Sequence, residues 1–448
     1  MIKHLWCNYI LTIGQFFIKA QALICIFYGG NPVFAEEHMS SHLHCTGKVK
    51  LMNIVECVLD HSPEYRTARL QVGVMQGRKK TSAYLFPSNP VFSFAYAHRK
   101  QAGESSGISL GGTSSAVNGE IAVSQEIFIS SQRRIRIGIA ESDLSSSEKR
   151  AYVSERNTSA DALSAAVRLS SADEEMEVSS ELYSTAKNLY AVVQARAERG
   201  LLSAVEADLA KSELTRMTRV LQSSKRKREA ARANLIVMMG APSFAEVKIE
   251  DSLPEISLKN KGTEQLIESA LNYRMEIEAA VSDVRSAERR MELLRTERIP
   301  NLNLGLYLQR DGFNENVAGA RLSFPLAAVR NYSGEIEEAK HTAEQKRSSA
   351  EVARHTVRYE VMKAVSDFRS LKEEKDSYSE ELLKNVESSL QSLRKAVSLG
   401  QMNLRDALIT QQSLISLRLT YIQTRLEYQL AGIELLRSGG LPFFNFQE

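Results

Sequence analysis

Two sets of residues in the 448-residue sequence have the types and spacing for chemistry. His38, His42, His44 and Cys45, with Met39 among them, crowd into one short stretch whose imidazole and thiolate donors suit zinc, copper or nickel. A tail with incidental histidines is the competing reading. Cys45 also has an alternative partner in Cys57, with which it would form a disulfide in an oxidising compartment. The second set is acidic. Glu206 and Asp406 occupy positions 200 apart, with Asp208 and Arg405 beside them, and such carboxylates attract cations or simply favour a helix N-terminus. Neither set is catalytic. The sequence lacks His-Glu-x-x-His and Gly-x-Ser-x-Gly, and no lysine follows the Gly111-Gly112-Thr113-Ser114 run, so we expect no enzyme and no cofactor.

A tandem repeat is what places Glu206 and Asp406 in equivalent surroundings. Arg199-Gly200 to Ala241-Pro242 precedes Leu399-Gly400 to Leu441-Pro442 by 200 positions, with Gly200/Gly400, Leu214/Leu414, Gly240/Gly440 and Pro242/Pro442 in register. Glu56–Glu64 matches Glu268–Glu276 in the same way. Self-similarity on this scale defines two modules, 61–250 and 251–448, after an N-terminal segment at 36–60. The nine prolines leave 91–241 and 326–441 without a breaker, which predicts very long helices. Residues 131–199 would span roughly 105 Å as one helix, turn at Gly200 and return with Ala207, Ala210, Leu214, Met217 and Leu221 at heptad spacing. The second copy turns at Gly400 and returns with two apolar stripes, one through Ala407, Leu414, Leu417 and Tyr421, the other through Leu408, Ile415, Ile422 and Ile433. Two stripes require a neighbour on each side. Residues 62–85 and 262–298 read as further helices that stop before prolines.

Between the helices the period changes to two. Phe92, Phe94 and Tyr96 alternate with Ser93, Ala95 and Ala97, and Ile121 and Val123 alternate with Ala122 and Ser124. Leu304, Leu306 and Leu308, then Ala318, Ala320 and Leu322, repeat the pattern. Strands are expected at about 91–99, 120–128, 301–309 and 317–325, a length that crosses a bilayer when tilted. Four strands cannot close a barrel, so several chains must share one. Lys3 and Lys19, two apolar stretches and Val33-Phe34-Ala35 make residues 1–35 read as a secretory signal peptide cleaved after Ala35, with an uncleaved anchor as the alternative. The formal charge of +3 gives no reason to expect a nucleic-acid partner.

With the repeat, the two hairpins and the long helices in view, the chain resembles the TolC family of outer-membrane efflux proteins. The motifs that carry the resemblance are Asp60-His61-Ser62-Pro63-Glu64, Ala287-Glu288 followed by Ile299-Pro300-Asn301-Leu302, and Phe324-Pro325-Leu326, where the first module has Gln125-Glu126-Ile127 instead. The resemblance implies an α+β, mainly α fold, with helical hairpins forming an α-barrel and four strands per chain entering a trimeric β-barrel. It also implies a homotrimer in outer-membrane lipid, docked at its helical turns, Gly200 and Gly400, onto a periplasmic adaptor and an inner-membrane pump of the RND type. Glu206, Asp208, Arg405 and Asp406 would then gate or select at the periplasmic tip. The CzcC-like heavy-metal branch is the nearest in pattern, which together with the histidines favours divalent-cation export. Export of drugs or type I secreted proteins is the alternative within the family, and a non-transporting periplasmic coiled coil the alternative outside it.

Overall fold

The computed structural model describes residue 45 and residues 47–100, 115–251, 262–310, 315–325, 331–398 and 404–443. The N-terminal segment carries β1 (Gly47–Val49) and α1 (Leu51–His61), and the first module continues with α2 (Pro63–Ser82), β2 (Val91–Lys100), β3 (Ser115–Ile127), α3 (Gln132–Glu198), α4 (Ala204–Met238) and β4 (Val247–Ile249). The second runs α5 (Thr263–Tyr273), α6 (Met275–Thr296), β5 (Leu302–Arg310), β6 (Asn316–Ser323), α7 (Ser333–Asp376), α8 (Glu380–Ser398) and α9 (Leu404–Gly439). The four long strands form one antiparallel sheet in the order β2-β3-β5-β6. Helices α2, α3, α6 and α7 pack side by side in the corresponding order. Thus the sheet and the upper helical layer both place the first module beside the second.

The core sits where the modules meet. Ile54, Leu163, Leu169, Leu235, Phe368, Ile433 and Leu435 are buried together there, drawn from α1, α3, α4, α7 and α9. The short strands β1 and β4 pair in parallel across it, with Gly47 opposite Val247. Cys45 is joined to Cys57 in a disulfide, with Cα atoms 6.1 Å apart, tying the chain before β1 to the middle of α1. A bridged sulfur offers no thiolate, which removes Cys45 from the metal-ligand set. Cutting this short loop by Cys57→Ser should lower unfolding stability by about 2–3 kcal/mol. The check is the urea midpoint of both forms with and without reductant, where only the native form should respond to reduction.

Two expected helices are interrupted. The helix expected over 262–298 breaks at Arg274, whose backbone (φ −74°, ψ 122°) leaves the helical region between α5 and α6. Neither proline nor glycine marks the position, because its repeat equivalent Ser62 (φ −64°, ψ 118°) carries the marker instead in the following Pro63. Each break still satisfies its backbone, Ser62 N–H donating to Val58 O and Arg274 N–H to Ala270 O. The long helix after the second hairpin is likewise two helices. Ser377 Oγ donates to the Glu374 carbonyl at 2.6 Å, and Ser379 Oγ accepts from Leu382 N–H at 3.0 Å, so serine side chains end α7 and begin α8. The break also escapes a proline search.

The break at Arg274 is held by charge. The guanidinium, 3% exposed, donates two bonds to Glu276, at 2.6 and 3.2 Å, and one to the carbonyl of Ser438 at 3.3 Å. It also bonds Glu360 on α7, while Arg156 on α3 bonds Glu276 from the other side. Gly440, at φ +67°, brings the end of α9 against Arg274, as Gly240, at φ +62°, brings the end of α4 against His61. A Cβ on Gly240 would lie 2.4 Å from the His61 ring, so only glycine permits that approach.

Candidate functional site

The lower end of the protein is a turn between antiparallel helices. α3 ends in a Schellman motif, with Gly200 at φ +73°, its N–H donating to Ala197 O at 2.9 Å and Leu201 N–H donating to Arg196 O at 2.9 Å. α4 then begins with a capping box: Ser203 Oγ accepts from Glu206 N–H at 3.3 Å and the Glu206 carboxylate accepts from Ser203 N–H at 2.9 Å. Glu206 is therefore engaged with the helix end. Asp208 is exposed one position beyond Ala207. Arg405 and Asp406 are exposed at the start of α9, and Gly400 lies outside the described residues. A small apolar cluster of Val193, Ala210 and Leu408 holds the α3–α4 turn against α9, so the acidic stretches of both modules share one end.

Above the tip the helices are joined by charges that sequence reasoning did not single out. Glu213 on α4 is buried, 4% exposed, and takes two bonds from Arg216, at 2.7 and 2.8 Å. Gln412 of α9 reaches the same carboxylate at 3.4 Å. Arg418 and Arg425 of α9 meet Glu181 and Glu174 of α3, two rungs whose members are seven residues apart on both antiparallel helices. That heptad spacing of opposite charges was the legible signal. Removing the partner of a buried carboxylate is costly, so Arg216→Ala should destabilise the folded protein by roughly 2 kcal/mol. Arg216→Lys should recover part of that loss in the same thermal melt. The second stripe of α9 is buried within the chain through Leu408, Ile415, Ile422 and Ile433, whereas the first is buried only at Ala407 and half-buried at Leu414, Leu417 and Tyr421.

The sheet at the opposite end has two unlike faces. Its register sets Phe92, Val123 and Leu306 side by side, then Phe94, Ile121 and Leu308, with Leu304 beside Leu322. All of these are solvent-exposed in the single chain, Phe94 by 66%. The other face carries Ser93, Ala122, Tyr307 and Gly319 in one row and Ala95, Glu120 and Gln309 in another. Apolar on one side and polar on the other over four strands is the pattern of a membrane barrel, with lipid outside and water within. Both edge strands, β2 and β6, have one side without a described partner strand. No described helix is long and apolar enough to cross a membrane.

The metal-ligand set is not assembled among the described residues. No three His, Cys, Asp or Glu side chains converge as ligands there. His38, His42 and His44 lie outside the described residues, as do residues 1–35, expected to be a signal peptide, and most of the first hairpin loop.

Long helical hairpins bear a two-faced quartet of strands, a combination that defines a fold class. The comparisons agree with that class. Residues 266–441 match the family described as "Outer membrane efflux protein". No curated protein sequence matches the chain. Among solved structures, the outer-membrane channel OprN superposes with a TM-score of 0.72 at 16% identity, over 88% of this chain and 90% of that one. CusC gives 0.72 at 14% identity, over 89% and 93% of the two chains, and the Campylobacter jejuni CmeC outer membrane channel gives 0.70 at 15%, over 88% and 87%. The chain therefore has the outer-membrane channel fold across both modules, and its second half also carries the efflux family's sequence pattern.

Proposed function

We propose that the protein is one of three identical subunits of an outer-membrane efflux channel. After loss of residues 1–35, each subunit contributes four strands to a twelve-stranded barrel in outer-membrane lipid. Its helical hairpins extend into the periplasm and dock, through the turns at Gly200 and Gly400, onto an adaptor and an RND-type inner-membrane pump. Glu206, Asp208, Arg405 and Asp406 line the tip in this reading, where three copies of each acid favour cationic cargo. The observation that carries the reading is the sheet: a purely structural coiled coil has no use for a membrane-length quartet with an exposed apolar face.

Divalent heavy-metal ions are the cargo we propose, on the strength of the His38, His42 and His44 cluster and the acidic tip. A deletion strain, with and without the gene restored, tests this on graded zinc, cadmium, cobalt, nickel and copper alongside dyes and detergents. Sensitivity confined to metals and reversed by the gene is the expected result. Dye or detergent sensitivity with unchanged metal tolerance would reassign the cargo to drugs, and a soluble periplasmic rod in place of heat-modifiable trimers in the outer-membrane fraction would remove the channel reading altogether.

A further inference from the structure

The polar face of the sheet carries one built arrangement. Gly319 on β6 lies directly beneath the ring of Tyr307 on β5, where an added Cβ would fall 2.5 Å from the ring. Over that ring lies the guanidinium of Arg321, 5.4 Å from its centroid. Arg321 continues across β5 to Glu120 on β3, at 3.4 Å. The four residues form a stack: an absent side chain, a ring, a cation on the ring and a carboxylate at its far end. The cation is the outer member, since the Arg321 side chain is 62% exposed and that of Glu120 only 26%. All four positions belong to the face opposite Phe94, Leu306 and Leu308, so the stack faces water when the apolar face meets lipid.

We propose that Arg321 sets the charge selectivity of the barrel, with Tyr307 and Glu120 as positioning residues and Gly319 as the space that admits the ring. This rests on the channel reading but not on the cargo assigned to it. The long chain of an unsupported arginine would sweep a wide volume and screen poorly defined charge, whereas a guanidinium laid on an aromatic ring is held at one height. Repeated around the barrel, the Arg321–Glu120 pairs sum to no net charge but turn their more exposed, cationic member to the water, which tempers the cation preference of the acidic tip at the opposite end of the duct.

The test is the ratio of potassium to chloride permeability of the full-length protein in planar lipid bilayers under a salt gradient. Arg321→Gln should raise that ratio about twofold at low salt, with the difference shrinking as the Debye length falls below about 10 Å. Arg321→Lys should stay near the native value, and Glu120→Gln should move the ratio the other way, towards chloride. Tyr307→Ala should shift it in the same direction as Arg321→Gln, by less. If native channels form and Arg321→Gln leaves the ratio unchanged, the proposal falls while the channel reading stands. If the protein is a soluble periplasmic rod that never inserts as a trimer, the channel reading falls and takes this one with it.

Discussion

Leu306→Arg should abolish assembly in the outer membrane, whereas Gln309→Arg, three residues along the same strand, should leave trimers intact. Both positions lie in the body or upper part of β5, but the register puts Leu306 beside Val123 and Ala320 on the apolar face and Gln309 beside Glu120 on the polar one. An arginine on the lipid side of a barrel strand costs about 2–4 kcal/mol near the bilayer midplane, and a homotrimer would bear that cost three times. Opposite Glu120, the Gln309→Arg guanidinium would instead meet water and a carboxylate. Heat-modifiability of outer-membrane extracts on gels reads the difference directly. Equal loss of trimer in both variants would show that the strand tolerates no charge anywhere and would undo the assignment of faces.

Arg274→Ala should be the most damaging single substitution outside the sheet, with an expected loss of roughly 3–5 kcal/mol. The guanidinium is almost fully buried and serves Glu276, Glu360 and the end of α9 at once, so its removal takes the bonded guanidinium from Glu360 and leaves Glu276 with Arg156 where α5, α6, α7 and α9 meet. The network also sets an acid limit. Burial pushes the Glu276 carboxyl up, but the bonds and charge of Arg274 and Arg156 outweigh it and hold the group below its ordinary value of 4.5. The native state then binds fewer protons than the unfolded chain in that range, so this contribution is fully present above the ordinary value and is lost as pH falls through the native one. Asp161, close to Arg437, behaves in the opposite sense. Its burial raises the carboxyl above 3.8 against the pull of Arg437, so its contribution is present at low pH and lost as pH rises through the native value. Thermal melts across the acid range should therefore show Glu276→Gln flattening the fall in stability towards low pH. Asp161→Asn should raise stability near neutrality. A Glu276→Gln profile parallel to the native one would separate the acid limit from this network.

Much of the architecture is legible in the order of the residues. The chain turns at Gly200, where the repeat places the turn, with that residue in the left-handed conformation. Strands β2, β3, β5 and β6 cover the four alternating runs, because a period of two with bulky residues on one side has no stable helical arrangement. α3 is continuous over Gln132–Glu198, where no proline or glycine other than Gly138 intervenes. The breaks were not readable. Arg274 leaves the helix for the sake of partners on α7 and α9, which lie 86 and 164 positions away along the chain. Ser377 bonds the Glu374 carbonyl at the end of α7, but Ser349 and Ser388 make the same kind of backward bond inside α7 and α8, so serine position alone does not mark the break.

At the site the division is similar. Glu206 and Asp406 were placed by the repeat, but only the fold shows Glu206 closing a capping box and a Leu408 contact bringing α9 to the same end. Nothing in the local sequence distinguishes Glu213 from other helical acids; its burial comes from packing between helices, with Gln412 of α9 reaching its carboxylate. Residue order alone determined the repeat, the strand alternation and the long helices, since each depends on periods and breakers that are local. Tertiary structure decided which stripe of α9 is buried, where the helices break and which polar residues stack on Tyr307, because those outcomes depend on side chains meeting across distances that local spacing does not encode.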